Sequence, residues 1–401
     1  MIEETAAIIA SPPPLPPPLP EQAALPVMPR LPPPLPRPGL RARIASGIDW
    51  MFGFAAVMVL VAVCSVVPVL NFLSLGYLLH VSGTVARTGR LRDGFIGVRK
   101  ASVIGSAAAG AWVVAWPARL VSGFWKDAEI VAPGSSIAAA WRAGLIAIVI
   151  VTLIHIVWAC LRGGRWWHFL WPAPLKLLRW LKSADSLFLV RAAVGKYVIG
   201  LRLPFYFWLG LRGFLGALAW LVVPVGILFA ATRAPVGGAI VLSLLGGLLL
   251  LLVVMHLPFL QAHLAQNDRF RAIFEWREVR RLFLRAPLAF WMALLVTLLL
   301  AVPLYLLKIE LTPRELAWLP ALLFVIFIFP ARLLTGWAMS RARRREEPRH
   351  WFWRWTARLG IFPVALAYVL MVYLAPYLSW NGAMSLLEQH AFLVPAPLMA
   401  L

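Results

Sequence analysis

Residues 336–355 read GWAMSRARRREEPRHWFWRW, with five arginines between Arg341 and Arg349 followed by Trp351, Trp353 and Trp355. Arginine interleaved with aromatic rings suits two chemistries. It can stack on bases and pair with phosphates of a nucleic acid. It can also sit at a membrane surface, with the rings at headgroup depth and the guanidinium groups on anionic phosphates. Three further arginines, Arg119, Arg212 and Arg332, lie inside apolar runs, each within about two turns of an end. From there a long cationic side chain snorkels to the interface, or it contacts an anionic lipid headgroup or a small anion. His80, His155, His256 and His350 recur near the ends of apolar runs, which raises a shared metal site. Their offsets differ, however: His80 is twelve residues after Pro68 and His256 two before Pro258, so the positions are not equivalent. No metal and no cofactor is expected.

Other chemistry leaves no trace in the sequence. There is no HExxH helix, no CxxC pair, no phosphate-binding loop and no GxSxG elbow. None of the 16 acidic residues falls in the middle of an apolar run. Ion-coupled carriers usually bury a carboxylate there, so that mode of transport is disfavoured. A membrane-embedded enzyme is disfavoured for the same lack of motifs.

Composition decides between the two uses of the arginines. The chain is 62% hydrophobic, with only 13% charged residues, a net charge of +22 and a mean hydropathy of +0.82. Soluble domains are about 45–50% apolar, so the basic charge belongs to a membrane protein rather than to a nucleic-acid binder. The expected fold is an all-α, multi-pass transmembrane helix bundle. Eight apolar runs can cross hydrocarbon: about 51–80, 102–121, 143–161, 204–231, 236–257, 287–306, 316–339 and 360–380. The first is too long for one straight helix. It is either one span kinked at Pro68 or a re-entrant hairpin turning at Pro68–Asn71. Segments 81–100, 162–203, 259–286 and 340–359 carry 26 Lys and Arg residues, against five in the opposite connections and tail. The positive-inside rule puts these four segments in the cytoplasm and the protein in the inner (cytoplasmic) membrane of a bacterium.

The four basic segments share a design, in which a descending span, often with a proline (Pro68, Pro258, Pro330), leads into an amphipathic interfacial helix. In NDRFRAIFEWREVRRLFLRAP, Phe270, Ile273, Phe274, Trp276, Val279 and Phe283 approximate one face. LRDGFIGVRKASVIG and HWFWRWTARLG are shorter counterparts. The longest segment, 165–201, suits two helices broken near Pro172–Pro174. Ahead of the membrane domain (47–401) lies a proline-rich N-terminal arm, 1–46, holding PPPLPPPLP and LPPPLPRP. It is expected to be disordered, and it is a candidate docking peptide for a proline-reading protein partner. Eight crossings place this arm outside, against the preference of Arg30, Arg37, Arg41 and Arg43 for the inside.

PVLNFLSLGYLLHVSGTVARTGRLRDGFIGVRK, RGGRWWHFLWPAP, LRLPFYFWLGLRGFLGALAW and FIFPARLLTGWA resemble an uncharacterised family of bacterial polytopic membrane proteins, of planctomycete type, catalogued as a domain of unknown function. The resemblance covers about 45–395. It implies an integral membrane protein and transfers no catalytic residue. Two roles remain open. One is a non-enzymatic membrane-organising or assembly protein that meets anionic headgroups through its basic face. The other is a transporter or lipid-handling protein with an anion near Arg119, Arg212 or Arg332.

Overall fold

The computed structural model describes residues 39–181, 186–307, 318–378 and 382–388. The proline-rich stretch 1–38 and the outer connection 308–317 lie outside the described residues. Residues up to Ala45 form a unit of their own, and the account below concerns the second unit, from Ser46 onward.

The first apolar run is two helices. α1 (Leu40–Val66) and α2 (Asn71–Thr88) are separated by a turn in which Val69 takes φ 70°. The helices run antiparallel. Ser74 Oγ donates to the Val61 carbonyl at 2.7 Å, whereas a continuous helix would hold these residues about 20 Å apart. Nearer the other end of α1, Trp50 and Phe54 pack on Phe95, beyond the end of α2. Ser46 and Arg90 therefore share one end of the bundle. The single kinked span is corrected to a hairpin, and its turn falls where the re-entrant alternative put it.

Three more hairpins follow. α3 (Val98–Val114) and α4 (Trp116–Val131) return through α5 (Ser136–Leu161). The break expected near Pro172–Pro174 is present, but that segment holds three helices: α6 (Trp166–Leu170), α7 (Pro174–Leu181) and α8 (Ser186–Gly200). α9 (Leu203–Ala231) returns through α10 (Val236–Asn267). α11 (Trp276–Arg285) then turns by 112° into α12 (Pro287–Leu307), followed by α13 (Trp318–Arg343), α14 (Trp351–Leu378) and the short α15 (Ser385–Glu388). The expected interfacial helix HWFWRWTARLG is instead the first part of α14. Among the described residues seven helical stretches are long and apolar enough to cross a membrane, and the bent pair α11–α12 makes an eighth.

α2 is not among these, because it carries Asn71, Ser74, His80, Ser82, Thr84 and Arg87. It crosses by being enclosed. Asn71, Ser74, Gly76, Ser82 and Gly83 are all buried, and α9, α10 and α13 surround the helix. Small residues allow the approach. A Cβ on Gly76 would strike the Tyr206 carbonyl, one on Gly210 the Phe72 carbonyl, and one on Gly83 would come within 2.6 Å of the Ala265 carbonyl. α2 lies antiparallel to α9 and parallel to α10 and α13. Counting α2 and α12, the described helices make nine passes of alternating direction, and every strongly basic segment falls at one end.

α2 and α10 end alike. Gly89 (φ 72°) and Asp268 (φ 52°) take the left-handed conformation, which glycine adopts freely and aspartate tolerates. Arg90 and Arg269 are then extended, and 3₁₀ turns follow at Leu91–Gly94 and Phe270–Phe274. Arg-Leu-Arg and Arg-Phe-Arg occupy the same places, so the repeated design is strongest between these two units.

Gly210→Ala is expected to lower the unfolding temperature, costing about 1–3 kcal/mol, since the Phe72 backbone cannot yield to the new methyl. Gly226→Ala, on the same helix with open space around it, should leave stability unchanged or slightly raised. Thermal unfolding of the two variants in detergent checks the contrast.

Candidate functional site: a polar junction among parallel helices

The three arginines singled out in the sequence occupy three different settings. Arg119 is exposed on α4, with its guanidinium 5.5 Å from the Trp112 ring centroid. Arg212 is engaged within the protein. It donates to the Asp268 carbonyl at 3.0 Å and forms an ion pair with the Asp268 carboxylate at 2.5 Å, closing α10 onto α9. Arg332 does not snorkel. α13 continues to Arg343, so Arg332 sits eleven residues from the basic end, near mid-helix, and is only 3% exposed. The structure does not bring the three together.

Arg332 faces α10. Its Nη1 donates to Gln261 Oε1 at 2.7 Å, and Gln261 is fully buried. One turn further along both helices the packing tightens, at Ala265 against Gly83 and at Gly336 against Ser82. Arg332 Nε and Nη2 are buried and, among the described residues, have no hydrogen-bond partner and no carboxylate within ion-pair distance.

A second polar cluster lies at the basic end of the same helices. His263, 3% exposed, sits 2.9 Å from Glu275 Oε2 through Nε2, and Arg343 Nη2 lies 3.1 Å from its Nδ1. Arginine can only donate, so Nδ1 accepts and the proton of the neutral ring sits on Nε2, directed at Glu275. That hydrogen bond holds the carboxyl of Glu275, which lies outside the spanning helices, below the usual carboxylate range. The contact ties α10, α13 and the 3₁₀ turn to one another. Gln261 and His263 escaped the sequence reading because, apart from Asn267 one turn after His263, the partners that give them a role lie on α13 and beyond the 3₁₀ turn.

Three arginines cap helix ends across this junction. Arg87 donates to the Ala265 and Gln266 carbonyls at 3.1 Å each, Arg344 to the Thr88 carbonyl at 3.0 Å, and Arg212 to Asp268 as above. α2, α10 and α13 run parallel, so their negative C-terminal ends meet here, and cations satisfy the free carbonyls.

The four histidines of the sequence reading stand apart, each in its own local contact. His80 packs edge-on against Phe205 and Tyr206, His155 Nε2 meets the Phe169 carbonyl, His256 Nδ1 meets the Leu252 carbonyl, and His350 Nδ1 accepts from Phe352 N–H at the start of α14. Among the described residues no group of three metal-ligating side chains is close enough to hold an ion.

Six further arginines form a belt. At the basic end Arg162 lies over Trp158, Arg165 over Trp167, Arg202 over Phe205, Arg280 over Trp276, Arg341 over Trp337 and Arg358 over Trp355, at 4.6–6.0 Å from the ring centroids. α11 contributes to the belt with a divided face. Ile273, Val279 and Leu282 are buried, whereas Phe270, Phe274 and Trp276, expected on the same face, are exposed. Phe270, Ile273 and Phe274 lie in the 3₁₀ turn and Trp276 opens α11, so these residues do not share one helical period.

Fold and surface together define a multi-pass α-helical membrane protein. A family model described as a protein of unknown function (DUF4013) matches residues 205–311, from α9 through α12. No curated protein and no solved structure matches the chain.

Acidification below about pH 4, the ordinary glutamate range, is expected to destabilise the protein in part through Glu275. A carboxyl depressed in the folded state contributes stability that is present above its unfolded value and lost as pH falls through its folded one. Thermal unfolding between pH 7 and pH 3 should show a shallower loss in Glu275→Gln, which starts from lower stability at pH 7.

Proposed function

We propose that this protein is a non-enzymatic organiser of the cytoplasmic membrane of a bacterium, gathering anionic phospholipid around its basic end. The supporting observation is the belt of arginines stacked on aromatic rings. Stacking fixes the guanidinium at headgroup depth and, except in Arg162, which donates to the His168 and Trp171 carbonyls, leaves its N–H fork to a phosphate. Among the described residues, six of eight arginine–aromatic pairs lie at the basic end, which is the side where anionic lipid attraction acts. α7, with Lys176 and Arg179, and α11, with Arg277, Arg280 and Arg281, extend the basic surface between spans. Partners under this reading are membrane lipids at the cytoplasmic face, and a protein docked on the proline-rich arm remains part of the proposal.

A second reading, a lipid-handling protein, draws on a different observation. An apolar groove of about 320 Å³ between α12 and α14, lined by Leu295, Leu299, Pro363, Ala367 and Met371 among others, offers apolar walls to an acyl chain.

The test uses Arg165, Arg202, Arg280 and Arg341, which are exposed and make no ion pair among the described residues. Changing all four to Gln should at least halve the phosphatidylglycerol retained per chain from mixed phosphatidylglycerol–phosphatidylethanolamine membranes, without lowering the unfolding temperature. Unchanged retention overturns the organising role. Protein-dependent movement of lipid between vesicles, abolished by Leu299→Trp in the groove, would support the second reading instead.

A further inference from the structure

Arg332 offers more than a buried charge. The two donors left without a partner, Nε and Nη2, belong to the same edge of the guanidinium, while Nη1 on the other side is held by Gln261 at 2.7 Å. That free edge presents two parallel N–H groups, the arrangement that binds a carboxylate or similar anion by two bonds at once. The neighbourhood fixes the fork. Gln261 is fully buried on α10, Thr335 Oγ1 donates back to the Arg332 carbonyl at 3.0 Å, and α2 closes the third side one turn further on. Among the described residues no carboxylate approaches the group. An isolated cation in hydrocarbon is strongly disfavoured, and one counter-charge would satisfy both donors and neutralise the group together.

We propose that the Nε–Nη2 edge of Arg332, held in place by Gln261, is an internal binding site for one small monovalent anion at the junction of α2, α10 and α13. The ligand is of formate, nitrate or chloride size, because a headgroup cannot reach a side chain that is 3% exposed. Bound there, the anion bridges the polar centre of the three parallel helices, and occupancy raises the stability of the bundle as any ligand of the folded state does. The site is separate from the lipid belt, whose arginines lie at the basic end.

The experiment measures thermal unfolding of the full chain in lipid nanodiscs, in gluconate buffer, with formate, nitrate or chloride replacing gluconate at constant ionic strength. The expected result is a saturable rise in unfolding temperature of several degrees with the small anions, absent in Arg332→Gln. Should Arg332→Gln fail to assemble, Arg332→Lys keeps the charge and removes the fork. It is expected to fold and to lose at least tenfold in apparent anion affinity. In the wild-type protein, ¹⁵N-labelled arginine should show one slowly exchanging Nε signal that shifts on anion addition and is missing from the variant. Equal unfolding temperatures in all four anions, or an anion response that survives in Arg332→Lys without loss, overturns the proposal.

Discussion

A helix carrying asparagine, serine, threonine, histidine and arginine cannot stand in hydrocarbon by itself, because lipid offers its side chains no partner. α2 is such a helix, and much of the bundle is arranged to keep it out of lipid. α9 approaches on one side through Gly76 and Gly210, and α10 and α13 close the others through Gly83, Ala265 and Gly336. The apolar surface that faces lipid is supplied by other helices, among them α5, of which little is buried. The least hydrophobic pass thus becomes the axis of the protein.

Enclosure has an electrostatic consequence. The hairpin α1–α2 sets α2 parallel to α10 and α13, so three C-terminal helix ends, each equivalent to roughly half a negative charge, converge at the basic end. Arg87 and Arg212 cross to cap the end of α10, and Arg344 crosses to cap the end of α2. Part of the large positive charge therefore works inside the protein. The matching exits of α2 and α10, each through a left-handed residue into Arg-x-Arg and a 3₁₀ turn, place this capping chemistry at equivalent points of two units.

The helical membrane class was legible because apolar length and Lys/Arg asymmetry are additive along the chain and need no tertiary knowledge. The hairpin was only half legible. Pro68 marked a break in 51–80, but whether the chain bends or reverses depends on Val69 and on the Ser74–Val61 hydrogen bond, which no local pattern announces. Arg332 was visible as an embedded cation, yet its depth was misjudged. α13 continues through Ser340–Arg343, so the arginine lies far from the end it seemed close to. Gln261 acquires its role from Arg332, 71 residues away, and His263 from Arg343, 80 residues away, together with Glu275 beyond a 3₁₀ turn that helical periodicity does not register.

The direction of α2 carries the account, since reversing it would separate Gly83 from Ala265 and Thr88 from Arg344. It can be measured by labelling single cysteines, at Gly47, Arg92, Gly134 and Glu347 in a chain with Cys64 and Cys160 replaced, with a membrane-impermeant maleimide applied to one face of sealed vesicles at a time. The account predicts that positions 47, 92 and 347 label from one face and position 134 from the other. Labelling of 47 and 92 from opposite faces would show that residues 51–80 cross once, and would contradict the parallel arrangement on which the polar junction rests.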